Sequence, residues 1–586
     1  MLLKLFKAVH VVFLLEYFKK REFKYPFFIA FFLIGLTIGL NLFIPVSFKY
    51  LVNYLIDNKP SSLSVIISYL IASYSLLWLI SQTIVQLREI ILFKPIEQLV
   101  RLFSIRVFTH LQQLSMQFHI TRKTGAMITS IERAQEALPK LFWGIFLYII
   151  PVTLEIVGAI IILWGLYNNY YCSIFLLVLF LYFFISAIGT EWSSKAQRES
   201  NHKTVEANSR IIDSLLNIET IKFLGTNSHE ITLCNQLLSN REKAEVKKKT
   251  RMEIVRLSQS VVVGIGLIIM TWVTVQDVIK GIIKVSDFIL INGYFMQFVN
   301  PLSYFGHILQ DIRNSFTNLE AAIELLEIPS EPQRKTTKRM ANIEVSTVLF
   351  ENVNFGYDKS QLILKNVSFR VNKGKMIAIV GPSGTGKSTI GRLLSRLYIP
   401  IHGKIKINSY LLNTLSQSYL HKIIGVIPQD ISLFNDTLYY NITYAAPSAS
   451  LEEIQKVIKI VQLDNLINSL PEGLETKVGE RGERLSGGER QRLAIARILL
   501  KKPQIYIFDE ATSALDAFTE QKILANMKDA LSESIIITIT HRLSTIVNAD
   551  EIIVINNGEI VEIGDHHHLL NLKGLYHTLW KQQSFQ

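Results

Sequence analysis

Six stretches of this chain avoid charge for the length of a bilayer, and no other feature constrains its fold as tightly. Between Lys24 and Lys49 lie 24 residues without a formal charge, and between Lys59 and Arg88 lie 28. From Lys140 to Glu191 only Glu155 interrupts an apolar run. That run is too long for one span and contains the turn-like YNNYYC at Tyr167 to Cys172, so it reads as two. Two more stretches follow, 20 residues between Arg256 and Asp277 and 23 between Asp287 and Asp311. A spanning helix needs about 20 apolar residues, because charge in hydrocarbon is costly. The expected spans are therefore residues 25–50, 61–90, 141–166, 171–191, 257–278 and 286–311. Buried helices of a large soluble protein rarely stay uncharged for so long.

The charged residues then set an orientation. Lys94, Arg101, Arg106, Arg122, Lys123, Arg133 and Lys140 fall between the second and third spans. Lys222, Arg241, Lys243, Lys247, Lys248, Lys249 and Arg251 fall between the fourth and fifth. The connections on the other side are short. By the positive-inside rule the basic segments face the cytosol or mitochondrial matrix, together with both chain ends. Much of the net charge of +13 is thus topological, which removes the case for a nucleic-acid partner. Helical patterning in these segments, as in ANSRIIDSLLNIETIKFLG from Ala207 to Gly225, predicts spans that continue well beyond the membrane. Residues 1–24 read as an amphipathic lead-in on the membrane surface. They lack a cleavage site and an Arg/Ser-rich transit pattern, which favours a bacterial inner membrane over a mitochondrial one. Cys172 and Cys234 lack metal or disulfide spacing and read as ordinary residues.

After residue 327 the character changes. Residues 328–347, including the polar PSEPQRKTTKRMANIE, form a linker, and residues 348–582 alternate short β-branched runs with helical segments. The fold class expected is a membrane all-α six-helix domain (25–327) followed by an α/β P-loop ATPase domain. The strand MIAIV (Met376 to Val380) runs directly into GPSGTGKST, a phosphate loop in strand–loop–helix context. Gly381, Pro382, Ser383, Gly384, Thr385 and Gly386 supply backbone amides that wrap phosphate, and Thr389 completes the motif. Lys387 is placed to reach the β- and γ-phosphates of ATP, and Ser388 to ligate Mg2+. Downstream, IYIFDE ends in two carboxylates. Asp509 suits magnesium, held through water, and Glu510 suits orienting and deprotonating the attacking water.

Between these elements stands LSGGERQR, Leu485 to Arg492, which resembles the signature of ATP-binding-cassette proteins. The remaining family elements occur in order. Tyr357 in FGYD resembles the aromatic that stacks on adenine. Gln429 in IPQD resembles the Q-loop glutamine, which touches both metal and catalytic water. VGERG (Val478 to Gly482) precedes the signature as in exporters, SALD (Ser513 to Asp516) resembles the D-loop, and His541 the switch histidine. The resemblance implies that Ser486, Gly487 and Gly488 meet the γ-phosphate held by a second subunit, hence a homodimer with two complete sites. GDHHHLL resembles the family's usual C-terminal helix start rather than a metal site.

Spans preceding the ATPase on one chain resemble exporters. TGAMITSIERAQEA, the pair Pro151 and Glu155, EANSRIIDSLLNIETIKFLG, INGYFMQFVNPLSYFG and QDIRNSFTNLE resemble the mitochondrial-type and heavy-metal-tolerance branch and its bacterial relatives. The resemblance implies a small thiol-derived or sulfur-containing, glutathione-related substrate moved out of the cytosol or matrix. Two family arginines expected after the fourth span are replaced by Ser193 and Gln197, with Lys195 and Arg198 nearby. Arg256 and Ser303 stand where asparagines are usual. Gln259, Asn292, Gln297 and Asp311 are candidate cavity residues, with helix–helix hydrogen bonding as the alternative for each. Glu155 reads as a structural partner. Export of apolar peptides, lipids or drugs is the competing reading. A cassette-gated channel is disfavoured by the intact Glu510 and His541, and a soluble cassette ATPase is excluded by the spans.

Overall fold

The computed structural model describes residues 21–58, 65–121, 124–330, 344–358 and 361–584. Most of the predicted lead-in and most of the linker lie outside the described residues. Two compact units emerge: residues 1–114 with 122–329, and residues 330–586 with the short segment 115–121.

Among the described residues of the first unit every regular element is helical. Its elements are α1 (Arg21–Asn58), α2 (Val65–Gln112), α4 (Thr124–Phe142) running through a π-helical turn into α5 (Ile150–Leu166), α6 (Asn169–Leu216), α7 (Ile218–Leu224), α8 (Asn227–Ile279) and α9 (Val285–Glu327). The segment α3 (Met116–Thr121) groups with the second unit. Among the described residues five rods are long and apolar enough to cross a membrane: Arg21–Asn58, Val65–Gln112, Ser130–Leu166, Asn169–Leu216 and Asn227–Ile279. The sixth expected span falls on α9, whose apolar stretch is diluted by Asn292, Gln297, Asn300 and Pro301. The first and the third to fifth expected spans overlap these rods, the second does so from residue 65 because residues 61–64 lie outside the described residues, and several rods run far past the expected span. The 48 residues of α6 extend about 70 Å, more than twice a bilayer's hydrocarbon core.

Helix prolines explain two polar contacts that the bare sequence leaves unassigned. A proline inside a helix cannot donate to the carbonyl four residues earlier. Pro151 thereby frees the Leu147 carbonyl, within the π-helical turn Trp143–Ile149, and the buried Arg88 guanidinium of α2 donates to it at 3.4 Å. Pro45 likewise frees the Asn41 carbonyl, which accepts from the Gln297 amide at 3.5 Å. In hydrocarbon such freed groups need an internal partner. Asn41 also donates its side-chain amide to Glu155 Oε1 at 2.7 Å and accepts from the Ser81 hydroxyl, so α1, α2 and α5 share one buried polar cluster.

Helices α6 and α8 pack along each other at close range. A Cβ on Gly189 would lie 2.5 Å from Val255 Cγ1, and one on Gly266 would lie 2.4 Å from Val178 Cγ2. Beyond the apolar stretch the same pair is joined by charge, with Lys247 Nζ 2.7 Å from Glu199 and Arg251 lying over the Trp192 ring.

The second unit contains two sheets. A four-stranded antiparallel sheet has the order β2-β1-β4-β5, from β1 (Thr347–Phe355), β2 (Leu364–Asn372), β4 (His402–Ile407) and β5 (Tyr410–Leu411). The six-stranded sheet has the order β10-β9-β3-β8-β7-β6. Its strands are β3 (Met376–Val380), β6 (Ile424–Ile427), β7 (Ile505–Asp509), β8 (Ile535–Ile539), β9 (Glu551–Asn556) and β10 (Glu559–Gly564). All its pairings are parallel except β9 with β10. Strands β3, β7 and β8 are near-continuous apolar runs because both faces of a parallel sheet are covered. Their carboxyl ends lie side by side, which is where open α/β sheets bind ligands.

Candidate functional site

The phosphate loop joins β3 to α10 (Lys387–Leu394) through three glycines with positive φ: Gly381 (151°), Gly384 (81°) and Gly386 (97°). At Gly381 a Cβ would sit 2.1 Å from the Ile555 carbonyl oxygen, so only glycine fits. Thr385 closes the loop by donating to the Pro382 carbonyl at 2.9 Å, while Ser383 and Gly384 stay exposed at its rim. Lys387 is buried, and its ammonium donates to the Gly381 and Pro382 carbonyls at 2.9 and 2.7 Å. Burial pulls the Lys387 ammonium below its ordinary value, with Glu510 and Asp509 opposing that shift.

Pairing of β3 and β7 with β8 between them brings the second motif to the loop. Ser388 donates to Asp509 Oδ1 at 2.8 Å, placing a hydroxyl and a carboxylate oxygen together beside the phosphate cradle. Burial pushes the Asp509 carboxyl up, and the Ser388 hydrogen bond opposes it. Hard oxygen donors so placed fit Mg2+, which keeps several waters and takes few protein ligands. Among the described residues no cluster of three His, Cys, Asp or Glu side chains could hold a metal by themselves.

Glu510 carries a φ of 50°, a left-handed conformation uncommon outside glycine and costing about 1–3 kcal/mol where it is strained. Gln429 donates to Glu510 Oε2 at 2.9 Å, and His541 Nε2 lies 2.9 Å from Glu510 Oε1. Two residues distant in sequence, Gln429 and His541, thus converge on the Glu510 carboxylate.

Ser486 is the N-cap of α11 (Gly487–Lys501). Its hydroxyl accepts from the Glu489 amide while the Glu489 side chain accepts from the Ser486 amide at 2.7 Å. The signature therefore presents a helix N-terminus, which favours anions. Gly487 and Gly488 lie against Ala514, and a Cβ at Gly488 would come within 3.1 Å of the Ala514 carbonyl.

Some functional side chains were not anticipated. Gln491 is buried; it donates to Ser513 Oγ at 3.0 Å and accepts from the Ala514 amide at 2.8 Å, tying the signature helix to the loop after Glu510. Arg542 donates to the Ser513 and Leu515 carbonyls and pairs with the buried Glu520 at 3.0 Å. Only polar residues flanking two recognisable motifs hinted at either. In the histidine run, His566 is buried against Tyr576, with Nδ1 2.8 Å from its hydroxyl, and Asp565 caps the helix that follows.

In the helical unit a cavity of about 1000 Å3 is lined by α6, α8 and α9. Lys249, Glu253, Arg256 and Gln259 supply its polar side, and Leu267 and Met296 are among its apolar walls. Gln259 is the one predicted cavity residue in this lining, and it also donates to Ser186 at 2.6 Å. Asn292 instead accepts from Thr271 at 2.9 Å and donates to the Phe288 carbonyl at 3.1 Å, the helix-to-helix role. Gln297 serves the Asn41 carbonyl, and Asp311 pairs with His307 one turn away at 3.1 Å. Ser193 is buried beside a second, much smaller cavity that also touches Arg256 and Gln259, whereas Gln197 is half-buried, lines neither cavity and bonds Asn201 at 2.8 Å.

A helical membrane unit joined to a P-loop sheet with signature, Q-loop and switch histidine in place defines an ABC half-transporter of the exporter type, an ATP-hydrolysing class. The description "ABC transporter transmembrane region" matches residues 27–302, and "ABC transporter" matches residues 364–513. The chain belongs to the Atm1/ABCB7-type family of ABC exporters. It is 34% identical to the human mitochondrial iron-sulfur clusters transporter ABCB7, covering 93% of this chain and 74% of that protein. It is 36% identical to the ATM1-type heavy metal exporter of Novosphingobium aromaticivorans, covering 85% and 82%. Against ATP-binding cassette sub-family B member 6 of Xenopus tropicalis it is 35% identical, covering 94% of this chain but only 65% of that protein. A solved bacterial Atm1-family ABC exporter with ATP bound superposes with a TM-score of 0.85 at 33% identity, covering 96% and 98%.

Proposed function

We propose that two copies of this chain form an exporter that expels a small thiol-derived or sulfur-containing, glutathione-related anion from the cytosol or matrix. The observation that carries the substrate reading is the cavity between α6, α8 and α9, where Arg256 and Lys249 face a long apolar wall. Glu253 in the same lining pairs with Arg256 at 2.9 Å, so Lys249 leaves this end with a net positive charge that favours an anion, and the apolar wall favours a bulky conjugate over a fully polar peptide. The names of two relatives, iron-sulfur clusters transporter and heavy metal exporter, are compatible with sulfur-bearing cargo. Five apolar rods plus α9 give six crossings, with the basic extensions and the cassette on the inner side.

In the cassette, Tyr357 stacks on the base, and Gly381 to Thr389 with Lys387 cradle the phosphates. Ser388, Asp509 and Gln429 would hold Mg2+, which would supply charge neutralisation at the phosphates. Glu510, held by Gln429 and His541, orients the attacking water and accepts its proton. Ser486, Gly487 and Gly488 complete the site of the other copy, so ATP draws the two cassettes together and hydrolysis releases them.

The test is ATPase stimulation of the purified protein in lipid across thiol compounds, apolar peptides and lipids. Glutathione conjugates should stimulate most, and glutathione disulfide only weakly, at millimolar levels. Stimulation by apolar peptides or lipids alone would replace this substrate class.

A further inference from the structure

We infer that Arg392 is a positioning residue for ATP: it fixes the Tyr357 ring to the helix that carries the phosphate loop. The inference rests on the reading of Tyr357 as the base-stacking aromatic. Arg392 lies on α10, five residues after Lys387, and its Nη1 donates to the Tyr357 hydroxyl at 2.8 Å. The guanidinium carbon also lies 5.9 Å from the centre of the same ring. On the next turn back, Thr389 Oγ1 is 3.3 Å from the phenol oxygen. Two more aromatics wall the ring edge-on. Phe355 lies at 5.1 Å and an interplanar angle of 85°, and Tyr398 at 5.0 Å and 82°. Tyr357 nevertheless remains 37% exposed, so its surface is open while its tip is anchored.

Chemically, a stacking platform gains nothing from a hydroxyl, because the base meets the ring face. The phenol here serves as a handle. A ring held by its tip to the phosphate-loop helix keeps a fixed separation from the cradle, so base and phosphates of one nucleotide are bound without first ordering the aromatic. Releasing the tip transfers that ordering cost to the binding step.

Arg392→Ala should raise the KM for MgATP about three- to tenfold, the cost of ordering one side chain on binding, with kcat held. Arg392→Lys, which keeps a donor, should recover part of the loss. Tyr357→Phe, which removes only the hydroxyl, should reproduce the KM increase, and the double variant should be no worse than either single one. Additive losses in the double variant, or a fall in kcat at unchanged KM, would overturn the anchor. Tyr357→Ala separates the two levels of the argument. If it raises KM while Arg392→Ala and Tyr357→Phe do not, the anchor alone falls. If Tyr357→Ala leaves KM unchanged, both the stacking role and the anchor fall.

Discussion

Glu510 combines a left-handed backbone with two side chains converging on its carboxylate, and its chemistry can be isolated by one atom. Glu510→Gln keeps the shape and the phosphate cradle but removes the base, so turnover should fall by about two orders of magnitude or more while ATP still binds. Single-turnover hydrolysis with labelled ATP reads this, and near-native rates would remove Glu510 from the mechanism. Asp509 gives a pH dependence. Burial raises its carboxyl above the ordinary aspartate range, and a metal is held only by the ionised form. The Mg2+ requirement should therefore rise on acidification at a pH above that expected for an exposed aspartate. Titrating ATPase activity against Mg2+ between neutral and mildly acid pH checks it, and an unchanged requirement contradicts it. Residues of contiguous motifs were legible in the sequence because a phosphate cradle needs its glycines and lysine at fixed spacing. Gln491 and Arg392 were not, since their partners Ala514 and Tyr357 are far along the chain and only the fold joins them.

At the scale of elements, the rods were legible because hydrocarbon excludes charge, and the P-loop sheet because buried parallel strands need uninterrupted apolar runs. Polar residues inside the rods carry two meanings that sequence cannot separate, lining a cavity or joining helices. Gln297 illustrates the difficulty, since its partner is a carbonyl freed by Pro45 some 250 residues away. The four-stranded antiparallel sheet was also not foreseen, its strands being split around the β3–α10 unit. Glu155, read as structural, does bond Asn41 in the cluster shared with Ser81. Glu155→Leu strands the Asn41 amide in an apolar setting, a loss of about 1–3 kcal/mol. A lower melting temperature in detergent with unchanged substrate preference is the expected result, and altered preference at full stability would assign Glu155 to the transport path. Gly266→Leu should destabilise too, because the new side chain must enter space already held by Val178.

For the whole molecule, the account requires that neither copy works alone. Each chain carries a complete set of half-sites, the phosphate cradle and Glu510 on one side and the Ser486 helix terminus on the other. Gly487→Asp places a carboxylate where the partner's γ-phosphate is to bind, and like charges there should abolish hydrolysis. Mixed dimers containing one such chain should lose at least half of their activity, and a monomer with full ATPase activity would refute the shared site. The substrate claim has its own geometry. With Ser193 buried beside a small cavity and Gln197 half-buried, the cations of the main cavity are Lys249 and Arg256, the latter paired with Glu253 at 2.9 Å. Arg256→Ala should weaken stimulation by an anionic conjugate about ten- to a hundredfold, the worth of one charge-assisted hydrogen bond.

The most direct measurement is ATP-dependent accumulation of a labelled glutathione conjugate in proteoliposomes whose cassettes face outward, with native protein and with Glu510→Gln side by side. The account predicts uptake that requires ATP, vanishes in Glu510→Gln and exceeds that of labelled glutathione disulfide. Uptake that persists without hydrolysis, or uptake confined to lipids and apolar peptides, would contradict it.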